Sequence, residues 1–333
     1  LGVGRDARLL GVSLSINTGT NIIVRNLHLE APVDYFPNWS PDDGAGAWNA
    51  RFDAMSIVTG RNIWIDHCTF TDGAHPTSAA PMGFNGRRVE RHDGLLDMED
   101  GTDLVTVSHS RFVDHEKTLL IGSGDGRGDR DRGKLRITFH GNLFINSSQR
   151  SPRVRFGQVH VFNNYYLGSV DDADYPLVSE DLGGASYFLG MGIESKIVSE
   201  YNAFDYLGRG TSPDIIVANY NGHQFVDRGS WYNGRPADVI AVARRKFEED
   251  KARALAAAAA AGTAPPQWAT QEFTTQVGWE PSQQYGYRPL RSAIAVKVAA
   301  LVWSGTGVLQ VAQPAPHQPL NPRRAKRLDR VRR

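Results

Sequence analysis

Strand-like segments of this chain align into shared columns, and that repetition constrains the fold more than any other feature. NIIVRNLHL, NIWIDHCTF, LVTVSHSRF, ITFHGNLF, VHVFNNYY and IVSEYNAF place Ile22, Ile63, Val105, Ile137, Val159 and Ile197 in one column. Leu29, Phe70, Phe112, Phe144, Tyr166 and Phe204 follow seven residues later, and Leu27, Cys68, Ser110, Asn142, Asn164 and Asn202 stand two positions before those. Unrelated strands do not repeat a β-branched residue and a large apolar residue at one fixed offset. The shortest interval, Phe144 to Tyr166, reads as a minimal coil, and the longer ones read as the same coil carrying inserted side loops. The expected architecture is all-β, a parallel β-helix solenoid in which strands stack about 4.8 Å apart and like side chains lie over like. The asparagines of the third column are expected to form an amide ladder at a turn. An antiparallel sandwich is the competing fold, and the scarcity of tight hairpin signals speaks against it.

Outside the columns the chain changes character. Residues 241–261, AVARRKFEEDKARALAAAAAA, favour helix, with Gly262, Pro265 and Pro266 to end it. The apolar stretch from Ala293 to Leu309 is expected to pack back on the solenoid. Residues 1–311 are therefore taken as one β-helical domain, and 312–333, rich in Pro and Arg, as a disordered basic tail. Leu1-Gly2-Val3-Gly4 reads like the middle of a strand and turn, so the beginning looks cut, and a signal peptide would lie outside this chain.

Charge and composition narrow the function. Lys and Arg number 37 against 36 Asp and Glu, a balance without the basic excess of nucleic-acid binding. No apolar run has the length of a membrane span. A lone cysteine, Cys68, leaves no disulfide framework and no multi-cysteine metal site; it is expected to pack as a small buried residue.

Against that even background, QRSPRVRFGQVHVFNNYY places Arg150, Arg153 and Arg155 within six positions, a local concentration of the kind that recognises carboxylates. Pro152 breaks the strand alternation and can let Arg150 and Arg155 face one groove, while Arg153 is a candidate for an internal ion pair. Lys117, before an apolar run, offers an ammonium for a substrate carboxylate or is an ordinary solvated lysine. Asp93 and Asp97 flank Gly94, which permits a bend, and Asp53 falls one coil upstream. Three aspartates without His or Cys suit Ca²⁺ better than Zn²⁺, yet two Asp in a Gly-containing turn are also ordinary turn chemistry. The loop Asp125–Asp131 lacks the downstream Glu of an EF-hand and reads as a charged turn between coils.

The stretches NIWIDHCTF, DGLLDM, VTVSHSRFVDHEKTLLIGSGD, LRITFHGNLF and QRSPRVRFGQVHVFNNYY, in this order, make the chain resemble the pectate lyases of polysaccharide lyase family 1. The resemblance implies a right-handed parallel β-helix with a calcium-dependent cleft on its side. It implies Asp53, Asp93 and Asp97 as calcium ligands, Arg150 as the catalytic base, Lys117 and Arg155 as substrate-carboxylate binders, and Asp66 and His67 as structural. Arg51 stands where some members carry a further acidic ligand. The implied activity is β-elimination in polygalacturonate by a secreted, monomeric enzyme, giving 4,5-unsaturated oligogalacturonides. Calcium, Lys117 and Arg155 are expected to lower the pKa of Arg150 and to favour alkaline conditions. The alternatives are pectin lyase, a polygalacturonase-like hydrolase using Asp93 and Asp97, and a noncatalytic binder of acidic glycans.

Overall fold

The computed structural model describes residues 1–42, 46–171 and 186–309; the expected basic tail, 312–333, lies outside the described residues. Among the described residues, the chain winds through three sheets, visiting each once per coil. The first holds Leu14–Asn17, Met55–Val58, Leu96–Glu99, Leu120–Ile121, Arg153–Val154, Leu189–Gly192 and Val217–Tyr220. The second runs from Thr20–Arg25 and Arg61–Asp66 to Gln224–Arg228. The third runs from Arg8–Leu10 to Trp231–Tyr232 and ends on the antiparallel strand Arg235–Pro236. All other pairings within these three sheets are parallel, so the antiparallel sandwich is excluded, and the architecture is a right-handed parallel β-helix.

The sequence columns are ladder neighbours. Ile22, Ile63, Val105, Ile137, Val159 and Ile197 pair in succession along the second sheet. On the third sheet, Phe70, Phe112, Phe144, Tyr166 and Phe204 stack ring on ring inside the solenoid, with centroids 4.6 to 5.0 Å apart. All five are fully buried, and burial of each such ring stabilises the fold by roughly 2 to 3 kcal/mol.

The turn from the second sheet to the third is built from two adjacent columns. Asn26, His67, His109, Asn163 and Tyr201 hold left-handed φ values of 44° to 57°, and Gly141 and Gly229 complete the series. Such conformations disfavour side-chain-bearing residues, and the next residue in each coil secures them. The Asn142 amide donates to Asn164 Oδ1 at 2.9 Å, and that of Asn164 to Asn202 Oδ1 at 3.2 Å. The same oxygens accept backbone N–H groups, and Ser110 and Ser230 continue the ladder at either end. Cys68 belongs to this column and is fully buried.

Helices seal two surfaces. Val239–Ala261 starts with Asp238 accepting from the Ala241 N–H and stops at Gly262, whose φ of 64° permits the left-handed cap. Its buried Val239, Val242, Ala243 and Phe247 pack on the final coil. Ala293–Trp303 lays Val296 and Ala300 against Leu143, Tyr165 and Ala203 of the third sheet, as the apolar stretch suggested. Long connections leave from the corner between the third and first sheets; one contains the antiparallel hairpin Asn38–Ser40 with Ala47–Asn49.

Candidate active site

The same corner gathers the charged residues singled out above. Asp53 precedes Met55–Val58, Asp93 and Gly94 precede Leu96–Glu99, Lys117 ends Arg111–Lys117, and Arg150 follows Leu143–Gln149. Backbone rungs lock these coils together: Ala54 N–H to the Gly94 carbonyl at 3.0 Å, Leu95 N–H to Thr118 at 3.1 Å, Thr118 N–H to Gln149 at 3.1 Å, and Leu119 N–H to Arg150 at 2.6 Å. Residues tens of positions apart thus become neighbours one strand spacing apart, and Asp53 and Arg150 are joined through three such rungs.

Gly94 forms the floor under the aspartates. Its N–H donates to Asp53 Oδ1 at 2.8 Å, and a Cβ added there would stand 2.5 Å from Asp97 Oδ1 and 3.0 Å from Asp53 Oδ1. Two carboxylates therefore converge over a position where only glycine leaves them room. Asp97 is fixed by the Leu120 N–H, which donates to its Oδ1 at 3.0 Å. His115 holds Asp93 through the backbone, with Nε2 2.8 Å from the Asp93 carbonyl and Nδ1 2.6 Å from Asp72 Oδ1. Both partners are acceptors, so both ring nitrogens donate. Burial opposes this charge, but Asp72 outweighs it and raises the His115 pKa.

The carboxylates strain against one another. Burial and then the charge of Asp93 push Asp53 up to about 7. Burial, Asp53 and Asp93 hold Asp97 well above the usual carboxylate range, despite Arg150 nearby. Oxygen donors whose mutual repulsion a cation would relieve are the chemistry of a hard divalent ion site. The trio is not closed to chelating distance: among the described residues, the group with all ligand atoms within 4.8 Å of one another is Asp66, His67 and His109. Asp66 is already engaged there by Arg25 Nε at 2.7 Å and the Ser108 hydroxyl at 2.6 Å, consistent with a structural role at the turn after Arg61–Asp66.

The three cations differ in their partners. Lys117 Nζ donates to Glu90 Oε2 at 2.6 Å, and the buried Glu116 lies beside it in sequence. Arg155 donates through Nε to Asp125 Oδ1 at 2.6 Å and through Nη1 to the Gly122 carbonyl at 2.9 Å. Arg150 has no ion-pair partner among the described residues; its Nε is buried without a hydrogen bond, and its φ of 60° lies in the left-handed region. Asp114 and Asn146 of neighbouring coils hold left-handed φ values as well, so the conformation is one the solenoid's turns use repeatedly.

Sequence expectations fare unevenly here. Arg150 does not have a lowered pKa in the metal-free protein: burial acts downward, but Tyr187 and the carboxylates of Asp97, Asp93 and Glu90 outweigh it and raise the value. The two cations expected to lower it are each offset by a carboxylate of their own. Arg153 forms no ion pair among the described residues; it lies over the Tyr220 ring, 3.8 Å from the centroid. Arg51 is bound to Asp34 by two hydrogen bonds of 2.8 and 2.9 Å. The charged turn after Asp125 is a short helical turn, Gly128–Asp131. Asp125 entered the sequence reading only as part of a charged turn, and Glu90 escaped it, although the register of Lys117 against Gly94 brings the residues preceding Asp93 near that lysine.

The chain is thus a parallel β-helix protein that gathers aspartates, a lysine and an arginine at one corner of its coils. The model of the pectate lyase family matches residues 1–305, and the chain belongs to that family. It is 41% identical over 242 residues to a pectate lyase of Bacillus subtilis (strain 168), covering 72% of this chain and 55% of that protein. It is 41% identical over 239 residues to pectate lyase E of Dickeya chrysanthemi, covering 70% and 59%. The chain thus spans little more than half the length of these curated relatives. A solved pectate lyase bound to hexasaccharide superimposes with a TM-score of 0.77 at 34% identity, covering 92% of this chain and 67% of that one.

Proposed function

We propose that the protein, working outside the cell as a monomer, cleaves polygalacturonate by calcium-dependent β-elimination and leaves 4,5-unsaturated oligogalacturonides, with residues 1–311 as the catalytic unit. The observation that carries this reading is the stacking of Asp53, Asp93–Gly94–Asp97, Lys117 and Arg150 on successive coils of one corner, in a chain of the pectate lyase family.

Asp53, Asp93 and Asp97 are the residues that would hold calcium, and the raised proton affinities of Asp53 and Asp97 fit a site built around a cation. When bound, calcium supplies positive charge that withdraws electrons from a uronate carboxylate and makes the C5 proton more acidic. Arg150, in its neutral form, takes that proton. Its Nε has no hydrogen-bond partner, and of the groups that raise its pKa, Tyr187, Asp97, Asp93 and Glu90, a bound calcium would compensate the two aspartates. The C5–H bonding pair becomes the C4–C5 double bond as the C4–O4 bond breaks, and the departing O4 oxygen takes up a proton from water. Lys117 and Arg155 orient the substrate with donors left over from their internal pairing: two ammonium hydrogens on Lys117, and the Nη2 group of Arg155.

The test is ultraviolet absorbance of the unsaturated uronide formed from polygalacturonate, with calcium or with a chelator. A calcium-dependent rise is expected. Cleavage without new absorbance would point to the hydrolase, and binding without cleavage to the noncatalytic glycan binder.

A further inference from the structure

Building on the lyase reading, we propose that Glu90 is a specificity-determining residue, which makes the Lys117 subsite electrically neutral and so lets it accept a methyl-esterified uronate as readily as a free one.

The geometry supports a lasting pair. Glu90 Oε2 and Lys117 Nζ are 2.6 Å apart, and their side chains are only 13% and 15% exposed. Separating a shielded ion pair leaves both charges poorly solvated, which costs several kcal/mol. A substrate carboxylate, itself well hydrated before it binds, is a weak competitor for an ammonium already held this way. Glu116, buried beside Lys117 in the chain, is occupied by the Gln149 amide, which donates to its Oε1 at 3.1 Å. The second oxygen of Glu90, Oε1, is buried without a hydrogen-bond partner. Burial pushes Glu90 up to about 7 in spite of Lys117, so above neutral pH the pair is ionised and presents no surplus positive charge.

Neutrality changes what the subsite reads. The ammonium keeps two hydrogens after donating to Glu90, and they can bond the carbonyl oxygen of a carboxylate or of its methyl ester alike. An unpaired lysine would instead favour the charged acid through Coulomb attraction. Anionic recognition then falls on the calcium-binding aspartates and Arg150, one coil to either side, while the Lys117 position tolerates a neutral group.

The experiment compares kcat/KM on highly methyl-esterified pectin and on polygalacturonate, with calcium, for the natural protein and for Glu90→Gln. Freeing the ammonium should lower the pectin-to-polygalacturonate ratio about fivefold, mainly through KM. A ratio unchanged within about twofold, or shifted toward pectin, would overturn the proposal. Glu90→Asp keeps the charge but withdraws it by one methylene; if Glu90→Gln does not fold, a lowered ratio in Glu90→Asp supports the proposal and an unchanged one refutes it. Calorimetric binding of trigalacturonate and its methyl ester to the same proteins reports the discrimination without turnover. If the natural protein forms no unsaturated product from either polymer, the lyase reading fails, whereas Glu90 still stands or falls by the binding ratio.

Discussion

The guanidinium of Arg155 donates to Asp125 Oδ1 at 2.6 Å, tying a cleft cation to the charged loop that the sequence presents as an ordinary turn. The same carboxylate accepts from the Asn221 amide at 3.0 Å through its other oxygen, so the loop also bridges to a later coil. Asp125→Ala should release Arg155 from its fixed orientation. Because Asp125 is 43% exposed, the contact is worth only about 1 kcal/mol. Steady-state kinetics should show an approximately fivefold loss in kcat/KM on polygalacturonate; undiminished activity would mean that Arg155 needs no such anchor.

Arg150→Lys keeps a positive charge but cannot place a planar guanidinium at the same point. The expected outcome is a fall in kcat of about 10² or more with KM altered little, since a proton-transfer group acts in the transition state. Equal turnover in the variant would remove Arg150 from the role of base.

Calcium and pH should act on stability together. A carboxyl whose pKa is raised by folding binds its proton more tightly in the folded protein, so its contribution is fully present below the ordinary Asp range. It is lost as pH rises through the folded value, here about 7 for Asp53, with Asp97 shifted in the same direction. Without calcium, melting temperature should therefore decline between about pH 5 and pH 8 through these groups. On the proposed reading calcium binds the ionised aspartates, so the increase it gives should grow over the same interval, to on the order of 5 °C at saturating ion. Differential scanning fluorimetry at the two pH values checks this, and an equal increment at both would contradict it.

Gly94→Ala examines the floor of the same site. The added methyl meets Asp97 Oδ1 and Asp53 Oδ1, so calcium should no longer raise the melting temperature even where the solenoid still folds. Retention of the full calcium increment would show that the aspartates rearrange freely.

The amide ladder offers a separate test of the fold. Asn164→Ala would leave the buried Asn142 N–H and its amide without their acceptor and the Phe139 carbonyl without a donor. Each unpaired buried group costs about 1 to 3 kcal/mol. Urea unfolding should register a loss of at least 2 kcal/mol or so, with a smaller effect pointing to water replacing the amide.

How much of this could be read in advance divides along physical lines. Ile63 above Val105 and Phe112 above Phe144 were legible because a solenoid demands the same side chain at the same offset in every coil. Asn142, Asn164 and Asn202 were legible for the same reason. Asp53, Asp93, Asp97, Lys117 and Arg150 came forward through family motifs, and the structure brings them to one corner. Glu90 and Asp125 did not, because each lies in a side loop whose length varies from coil to coil and whose path no column fixes. The raised pKa of Arg150 was missed because it comes from Tyr187 and from the carboxylates of Asp97, Asp93 and Glu90, whose closeness to the guanidinium only the folded coils set. Arg153 was misread because a guanidinium can be satisfied by an aromatic face as well as by an anion, and Tyr220 is far from it in sequence.

The most direct measurement for the central claim is the mass of the oligosaccharides released from polygalacturonate by this protein in the presence of calcium. Elimination at the Arg150 cleft should give products whose new non-reducing ends lack the elements of one water, absent when a chelator replaces calcium. Saturated products carrying an added water, formed equally with and without calcium, would contradict it.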